Sequence, residues 1–247
     1  MPKKQNESGD LKTLQAFRQL IDLAAAEPNY KPANPALKLI ALNPQYTAAL
    51  AAANDVSATR TLDIVARTNR EDAFDAAKPR ITRVHGAAKA SGAPKSKIED
   101  LDIFRRKLMS KPKAKKITAN IAGGAGSPPP TADATRSSSQ LSYANLIGHL
   151  RGYFGVLATL PEYNPDEADL KLAALNSWAD DLQTLNDAVN VAFVPFSQAR
   201  GLRDQLIYQA DNSVVNTGLM MKEYIKSAFG TSSQIYKQAK ALEFRRR

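Results

Sequence analysis

One sixteen-residue segment occurs twice in this chain, and this repeat limits the possible folds more than any other feature. Residues 28–43 read PNYKPANPALKLIALN and residues 161–176 read PEYNPDEADLKLAALN, with nine identical positions and no gap. The two copies lie 133 residues apart in a chain of 247 residues. A repeat spaced by about half the length predicts two structural units of similar size.

Apolar residues recur at helical spacing before and after each copy of the segment. A proline interrupts each of the two long helices that follow it, Pro44 in one and Pro195 in the other, and each proline is expected to kink its helix. Gly92 and Gly230 are predicted to close the third helix of each copy. The predicted helices are about 10–26, 35–77, 81–90 and a short fourth helix before 108, and then about 139–160, 165–209, 213–229 and a short fourth helix at the end of the chain.

The turn inside the repeated segment carries signals for the start of a helix. In the second copy Asn164 is predicted as the N-cap, with Pro165 at the first helical position and Glu167 reaching back as in a capping box. In the first copy Asn34 and Pro35 are predicted to play the same part. Each long helix is therefore expected to begin at its proline.

Two tyrosines, Tyr30 and Tyr163, hold the same place in the two copies. A turn with so many prolines is rigid and offers a fixed place for an aromatic ring. We expect both rings to lie over the turn and to tie it to a neighbouring helix.

Composition sets the fold class. Hydrophobic residues make up 43% of the chain and aromatic residues only 7%, and much of the hydrophobic fraction is alanine, which favours closely packed helices over sheets. The sequence predicts an all-α protein of tandem duplicated long-helix units, packed as an elongated helical bundle with approximate two-fold symmetry. Two separate bundles joined by a mobile linker are the alternative. The predicted segments are an N-terminal tail (1–9), repeat 1 (10–108), a basic and then Gly/Pro/Ser-rich linker (109–138) and repeat 2 (139–247).

The repeated motifs also resemble those of a known group of proteins. The pattern P-x-Y-x-P, the segment LKLAALN, a long helix ending in ARxxRD, the segment KEYIKSAFGTSSQIYK and a closing FRRR are similar to tandem-repeat helical proteins of Bacteroidetes-type bacteria. The resemblance covers both repeats and is closest in the second. No activity is assigned to that family, so the resemblance implies a fold and a bacterial lineage but no reaction.

The positive charge of the chain is concentrated in one short run. Residues 1–120 contain 22 Lys/Arg and 12 Asp/Glu, whereas residues 121–247 contain 12 of each. This run is a candidate site for anions or a protein partner, because clustered cations bind nucleic acid by releasing counterions. No helix-turn-helix or aromatic stacking platform accompanies it. Its seven basic residues are Arg105, Arg106, Lys107, Lys111, Lys113, Lys115 and Lys116.

A pair of arginines recurs near the end of both long helices. Arg67 and Arg70 in repeat 1 correspond to Arg200 and Arg203 in repeat 2. Residues three apart share a helical face, so each pair is able to clamp a phosphate or carboxylate. Pairing with nearby acids or with the other repeat is the favoured interpretation, because charges on helix surfaces are usually solvated or paired within the helix. The nearby acids are Asp63, Glu71, Asp72 and Asp204.

The motifs of common enzymes are missing from the sequence. There is no cysteine, no P-loop, no dinucleotide-binding glycine motif and no Ser/His/Asp signature. His85 and His149 occupy different places in the two repeats, without the acidic partners of a metal or acid–base site. The sequence therefore predicts no catalytic residue, no cofactor and no metal site.

Three functions fit these features. We expect a non-enzymatic structural or scaffolding protein that assembles with itself or with a larger complex. The alternatives are a nucleic-acid-associated protein using the run 105–116, and an exported helical effector or pore former. The N-terminal residues MPKKQNESGD have no apolar segment behind their lysines, so we expect no secretory signal, no membrane span and a cytoplasmic protein, with export by a signal-independent route as the alternative.

Overall fold

The computed structural model describes residues 7–109 and 142–245 of the chain, and all regular structure in these two stretches is helical. The predicted all-α class is confirmed. The helices are α1 (Glu7–Ala26), α2 (Leu39–Asp75), α3 (Ala77–Ala90), α4 (Lys95–Met109), α5 (Tyr143–Leu157), α6 (Leu172–Asp204), α7 (Val214–Phe229) and α8 (Gln234–Ala241). Short 3-10 turns at Pro35–Leu37 and Ala168–Leu170 precede the long helices α2 and α6, and a π-helical turn at Gln205–Gln209 follows α6.

The chain divides into two compact units whose limits lie inside the long helices. Unit 1 combines the described residues up to Val65 with those from Val191 onward, and unit 2 runs from Ala66 to Asn190. Unit 1 thus contains the first part of repeat 1 and the last part of repeat 2. Unit 2 contains the remaining part of each. The compact units therefore do not follow the limits of the sequence repeats.

The core of unit 1 joins α1 and the start of α2 to α7 and α8. Phe17 and Leu20 of α1 are fully buried, as are Val215 and Ile225 of α7. Phe244, which follows α8, packs edge-on against Phe17 with 6.5 Å between ring centroids. Burial of such side chains contributes about 1.5–3 kcal/mol each. Because the buried side chains come from α1 as well as from α7, repeat 1 and repeat 2 jointly supply this core.

The core of unit 2 joins α5 and the start of α6 to the end of α2, α3 and α4. Leu150 and Tyr153 of α5 are buried with Leu101 of α4 and Val84 of α3. The ring of Phe104 packs into a notch at Gly152, the space that a Cβ atom would otherwise occupy. The absence of a side chain therefore lets α4 and α5 approach closely.

The two repeated segments form corners of the same internal design. The hydroxyl of Tyr30 donates to the carbonyl of Leu37 at 2.9 Å, and that of Tyr163 donates to the carbonyl of Leu170 at 2.8 Å. Both rings are buried, and burial raises the pKa of each phenol to about 12. Each tyrosine thus closes its own corner over the 3-10 turn, as the sequence predicts.

Each corner is also bound by the third helix of the other repeat. In unit 1 the backbone N–H of Lys31 donates to the hydroxyl of Tyr224 in α7 at 3.1 Å. In unit 2 Arg80 donates to the carbonyl of Asp169 at 2.6 Å, and Arg83 forms an ion pair with the Asp169 carboxylate at 2.6 Å. The repeated turn is therefore one of the places where residues of the two repeats meet within a unit.

The predicted cap forms in the first copy only, and there it caps a 3-10 turn and not the long helix. Asn34 does accept a hydrogen bond from the N–H of Ala36 at 3.0 Å, but it caps the 3-10 turn. The residue before the second 3-10 turn is Glu167, whose side chain makes no capping bond, and the capping box with Asn164 does not form. Lys38 and Lys171 are extended, so α2 and α6 begin only at the next residue, after their prolines. An extended residue interrupts the helical hydrogen bonds and postpones the helix start.

Candidate functional site

The described part of the basic run is engaged with its own helix. Arg105 lies 3.9 Å from the carboxylate of Asp102, and Arg106 donates to the carbonyl of the same residue. The ammonium of Lys107 lies 6.0 Å from the ring centroid of Phe104. The other four residues of the run, Lys111, Lys113, Lys115 and Lys116, lie outside the described residues.

The second arginine of each repeated pair is a structural residue. Arg203 forms an ion pair with Asp10 of α1 at 3.1 Å, and both side chains are about 95% buried. The hydroxyl of Tyr208 donates to Asp10 at 2.5 Å, and Arg203 also contacts Asp204 at 2.8 Å. This buried polar network joins the end of α6 to α1 within unit 1.

The corresponding arginine of unit 2 makes a different contact at the same place. Arg70 stacks on the ring of Tyr143, with 3.9 Å from the guanidinium carbon to the ring centroid, and donates to Asn186 at 3.3 Å. Tyr143 lies 133 residues after Asp10, as Arg203 lies 133 residues after Arg70. Arg200 lies over the ring of Phe196 on its own helix, and Arg67 is exposed. The second arginine of each pair therefore has a partner within the protein, and the anion clamp stays a prediction.

Both histidines lie in unit 2 at the contact between α4 and its neighbours. His85 is only 4% exposed, with Nδ1 3.2 Å from the hydroxyl of Tyr153 and Nε2 3.3 Å from the carboxylate of Asp102. Burial lowers the pKa of His85, although Asp102 opposes this shift. Burial and the neighbouring Lys107 lower the pKa of His149. Sequence spacing could not reveal this Asp–His–Tyr chain, because its members come from three helices.

A pocket of about 270 Å³ opens in unit 2 between the end of α2, α3, α4 and α5. Its apolar walls include Phe74, Ile81 and Leu150, and its charged members are Glu71, Asp75 and Lys78. The ring of Tyr143 meets Phe74 edge-on at 4.8 Å between centroids. Sequence reasoning missed this site because residues of both repeats line it. The sequence alone shows only that each of these helices has apolar residues at helical spacing.

Unit 1 exposes apolar side chains on the two long helices. On α2, Leu62 and Val65 are 63% and 48% exposed. On α6, Val191, Val194 and Leu202 are 72%, 52% and 50% exposed. At about 100° per residue, Leu62 and Val65 share a face of α2, and the three residues of α6 share a face of that helix. The sequence signal is the apolar run VNVAFV (189–194), which exceeds what one buried helical face requires. We call these five side chains the exposed apolar set.

The described residues contain neither a cluster of metal-ligating side chains nor a helix that could span a membrane. Across residues 7–109 and 142–245, no group of three or more His, Asp or Glu side chains is placed to hold a metal ion. In the same stretches no helix combines the length and the apolar character needed to cross a bilayer.

Comparison with known proteins gives no relative from which a function can be transferred. No protein-family model matches the chain, and neither a curated protein nor a solved structure matches it significantly. The resemblance to a tandem-repeat family of Bacteroidetes-type bacteria therefore stays a prediction. Function has to be argued from the side chains themselves.

Proposed function

We propose that this protein is a non-enzymatic scaffolding protein that assembles with itself through the exposed apolar set of unit 1. The observation that carries the proposal is the position of Leu62, Val65, Val191, Val194 and Leu202, which are about half to three-quarters exposed on the surface of long helices. Apolar side chains that are exposed together on one face of a helix mark interaction surfaces in soluble proteins. A second copy of the chain is the occupant we favour, because a two-fold contact makes one such surface its own complement.

The size of the set suits a weak dimer. Full burial of such a side chain contributes about 1.5–3 kcal/mol, and these five are exposed by about half. Ten such side chains in a dimer would then contribute roughly 8–15 kcal/mol, against an association cost of roughly 4–15 kcal/mol. The two ranges overlap over most of their width, so little net free energy is left for association and the dimer is weak. An assembly of this strength responds to local concentration, as a scaffold inside a larger complex would.

We also infer that the chain consists of two tandem copies of one long-helix unit. The matching bonds of Tyr30 and Tyr163 support this, as does the pairing of Arg70 and Arg203 with residues that are themselves 133 positions apart. The pseudo-two-fold packing of the copies stays a prediction. So does the nucleic-acid alternative, since four of the seven basic residues lie outside the described residues.

Light scattering during size-exclusion chromatography tests self-assembly directly. We expect the average mass of the wild-type chain to rise with concentration, and to rise further in high salt, which screens the repulsion between basic chains. A triple variant, Val191→Glu/Val194→Glu/Leu202→Glu, should stay monomeric across the same range. Recording nucleic-acid absorbance in the same runs tests the alternative function.

Ile40→Glu is the matched control. Ile40 is the most exposed large apolar residue of the described chain at 83%, and it lies in the first turn of α2, outside the exposed apolar set. This variant adds one of the same glutamates at a still more open position, so it should assemble like the wild type. A wild-type chain that stays monomeric at all concentrations, or a triple variant that assembles equally well, would contradict the proposal.

A further inference from the structure

We propose that the pocket of unit 2 binds a small amphipathic amine, with the apolar body inside the pocket and the protonated amino group at the acidic rim. The proposal concerns a site separate from the exposed apolar set and does not depend on self-assembly. It rests on three features: the volume and lining of the pocket, the charges at its rim, and the different contacts at the corresponding positions of unit 1.

The walls of the pocket suit an alkyl or aryl group. An apolar cavity of about 150 Å³ holds benzene, so about 270 Å³ accommodates a group nearly twice that size. Leu146, Leu150 and Ile81 supply aliphatic surface, and Phe74 and Tyr143 supply aromatic surface. Ligand pockets of proteins are mostly apolar with a few polar groups that fix orientation. This lining has that composition.

The charged residues of the pocket favour a cation. Glu71 and Asp75 lie four residues apart on α2, so their carboxylates share one face of that helix. The only cation of the lining, Lys78, lies 3.5 Å from Asp75 and is 36% exposed. The two carboxylates therefore outnumber the one ammonium. The nearby Arg70 is held on the ring of Tyr143 and by Asn186, and it is not among the lining residues.

Unit 1 shows what the same positions look like when their side chains bond to one another. At the positions of Tyr143, Asp75 and Leu150, 133 residues away, unit 1 has Asp10, Tyr208 and Phe17. There Tyr208 donates to Asp10, and the ring of Phe17 is fully buried. In unit 2, Asp75 is 81% exposed and the smaller Leu150 lines the pocket. This contrast points to Leu150→Phe as the variant that fills the pocket with a side chain that the corresponding position already accommodates.

A titration of the full chain with three probes of equal chain length tests the proposal. The probes are octylammonium, octan-1-ol and octanoate, and binding is followed by methyl NMR shifts of Ile81, Leu146 and Leu150. We expect octylammonium to bind about threefold to tenfold more tightly than octan-1-ol, as exposed charge pairs contribute up to about 1 kcal/mol each. Octanoate should bind most weakly. Shifts at Val191 and Val194 report nonspecific binding to the exposed apolar set and should be absent.

Two variants separate the walls from the rim. Leu150→Phe should abolish the shifts at Ile81 and Leu146 for all three probes while the thermal melt stays cooperative. Glu71→Gln/Asp75→Asn should lower the affinity for octylammonium to that for octan-1-ol and leave the affinity for octan-1-ol unchanged. Equal or tighter binding of octanoate would overturn the assignment of an amine. Absence of shifts at Ile81 and Leu146 with every probe, or undiminished binding to folded Leu150→Phe, would overturn the site itself, whatever the outcome for self-assembly.

Discussion

Unit 1 and unit 2 use one plan and differ in what they place at corresponding positions. Each combines a first helix, a corner and the start of a long helix from one repeat with the end of a long helix and the last two helices of the other. In unit 1 the arginine at the end of the long helix meets a buried carboxylate, Asp10, whereas in unit 2 it meets an aromatic ring, Tyr143. Unit 2 contains both histidines and the pocket.

The comparison of the two units separates what the two copies share from what differs between them. The corner geometry depends on backbone conformation and one tyrosine, and both copies have this tyrosine and its bond to the turn. An interior contact depends on two side chains that come from different repeats, and here the same arginine has a different partner in each unit. Arg203 with Asp10 and Tyr208, and Arg70 with Tyr143, are two such solutions. Unit 1 therefore closes this place with a buried polar network, and unit 2 closes it with an aromatic ring that also lines the pocket.

The largest expected effect concerns the two arginines. Arg203→Ala removes one partner of a buried ion pair and should lower the free energy of unfolding by about 3–5 kcal/mol. Arg70→Ala removes a stacking contact at a partly exposed site and should cost only about 1 kcal/mol. Urea unfolding of both variants measures this contrast.

The partner residue provides the control for the arginine contrast. Asp10→Asn/Arg203→Met removes both charges and should be more stable than Arg203→Ala. The single change leaves the buried carboxylate of Asp10 without this ion pair, whereas the double variant has an uncharged amide there. Equal losses for Arg203→Ala and Arg70→Ala would show that the two units are closed by contacts of similar strength, and the comparison above would fail.

Much of this architecture follows from local sequence signals. The helices, the two corners and the role of Tyr30 and Tyr163 are predictable because helical periodicity and proline-rich turns act over a few residues. The composition of the units is not predictable in the same way. Nothing near Val65 or Val191 marks a limit, since both lie inside continuous helices, and the units depend on which distant segments share a core. The late start of α2 and α6 depends on one lysine before each helix having an extended backbone. Lysine has no special preference for that conformation, so the sequence does not predict it.

The second prediction compares two glycine notches. A Cβ atom at Gly218 would lie 2.7 Å from Cε1 of Phe244 in unit 1, and one at Gly152 would lie 2.9 Å from Cζ of Phe104 in unit 2. Gly218→Ala and Gly152→Ala should each cost about 1–3 kcal/mol, because the phenylalanine ring has to move. Thermal or urea unfolding measures the loss.

Open glycines of the same helix are the controls for the notches. Gly148 and Gly155 flank Gly152 in α5, and no atom lies within 4 Å of an added Cβ at either position. Gly148→Ala and Gly155→Ala should stabilise the protein by about 0.5–1 kcal/mol, since alanine favours a helix interior more than glycine does. Destabilisation by these two changes, or tolerance of Gly152→Ala, would contradict the packing described for α4 and α5.

The candidate site was less accessible to sequence reasoning than the fold. The arginine pairs were visible, and the interpretation that they pair with nearby acids or with the other repeat fits Arg203, which contacts both Asp204 and Asp10. The pocket and the chain from Asp102 through His85 to Tyr153 require three or four helices to meet. Such groupings have no spacing signature in one sequence, because their spacing is set by the packing of helices.

A smaller loss of stability is expected at the two corners, because Asn34 makes a capping hydrogen bond and Asn164 does not. Asn34→Ala removes the bond to the N–H of Ala36 and should cost about 0.5–1 kcal/mol, the lower range for loss of an N-cap. Asn164→Ala/Glu167→Ala removes no capping bond and should leave the stability nearly unchanged, although the sequence alone predicts a loss there. A thermal melt of both variants decides. A clear loss for the double variant alone would reverse this assignment.

The smallest effect is a pH response that should be confined to unit 2, because both histidines of the chain lie there. The pKa values of His85 and His149 are lowered from the usual 6.5 by burial, so the unfolded chain binds more protons than the folded one below that pH. Stability from the two neutral imidazoles is therefore complete above pH 6.5 and is lost as the pH falls through their lowered pKa values.

Asp102, which lies beside His85, moderates this loss, whereas Arg105 and Lys89 near His85 and Lys107 near His149 increase it. Hydrogen exchange compared just above and about one unit below pH 6.5, after correction for the intrinsic rate, should therefore show weaker protection in α4 and α5 and unchanged protection in α1 and α7. His85→Gln and His149→Gln should each reduce the response, and the double variant should remove it. Equal loss of protection in both units would mean that carboxylates, which unit 1 also contains, cause the response.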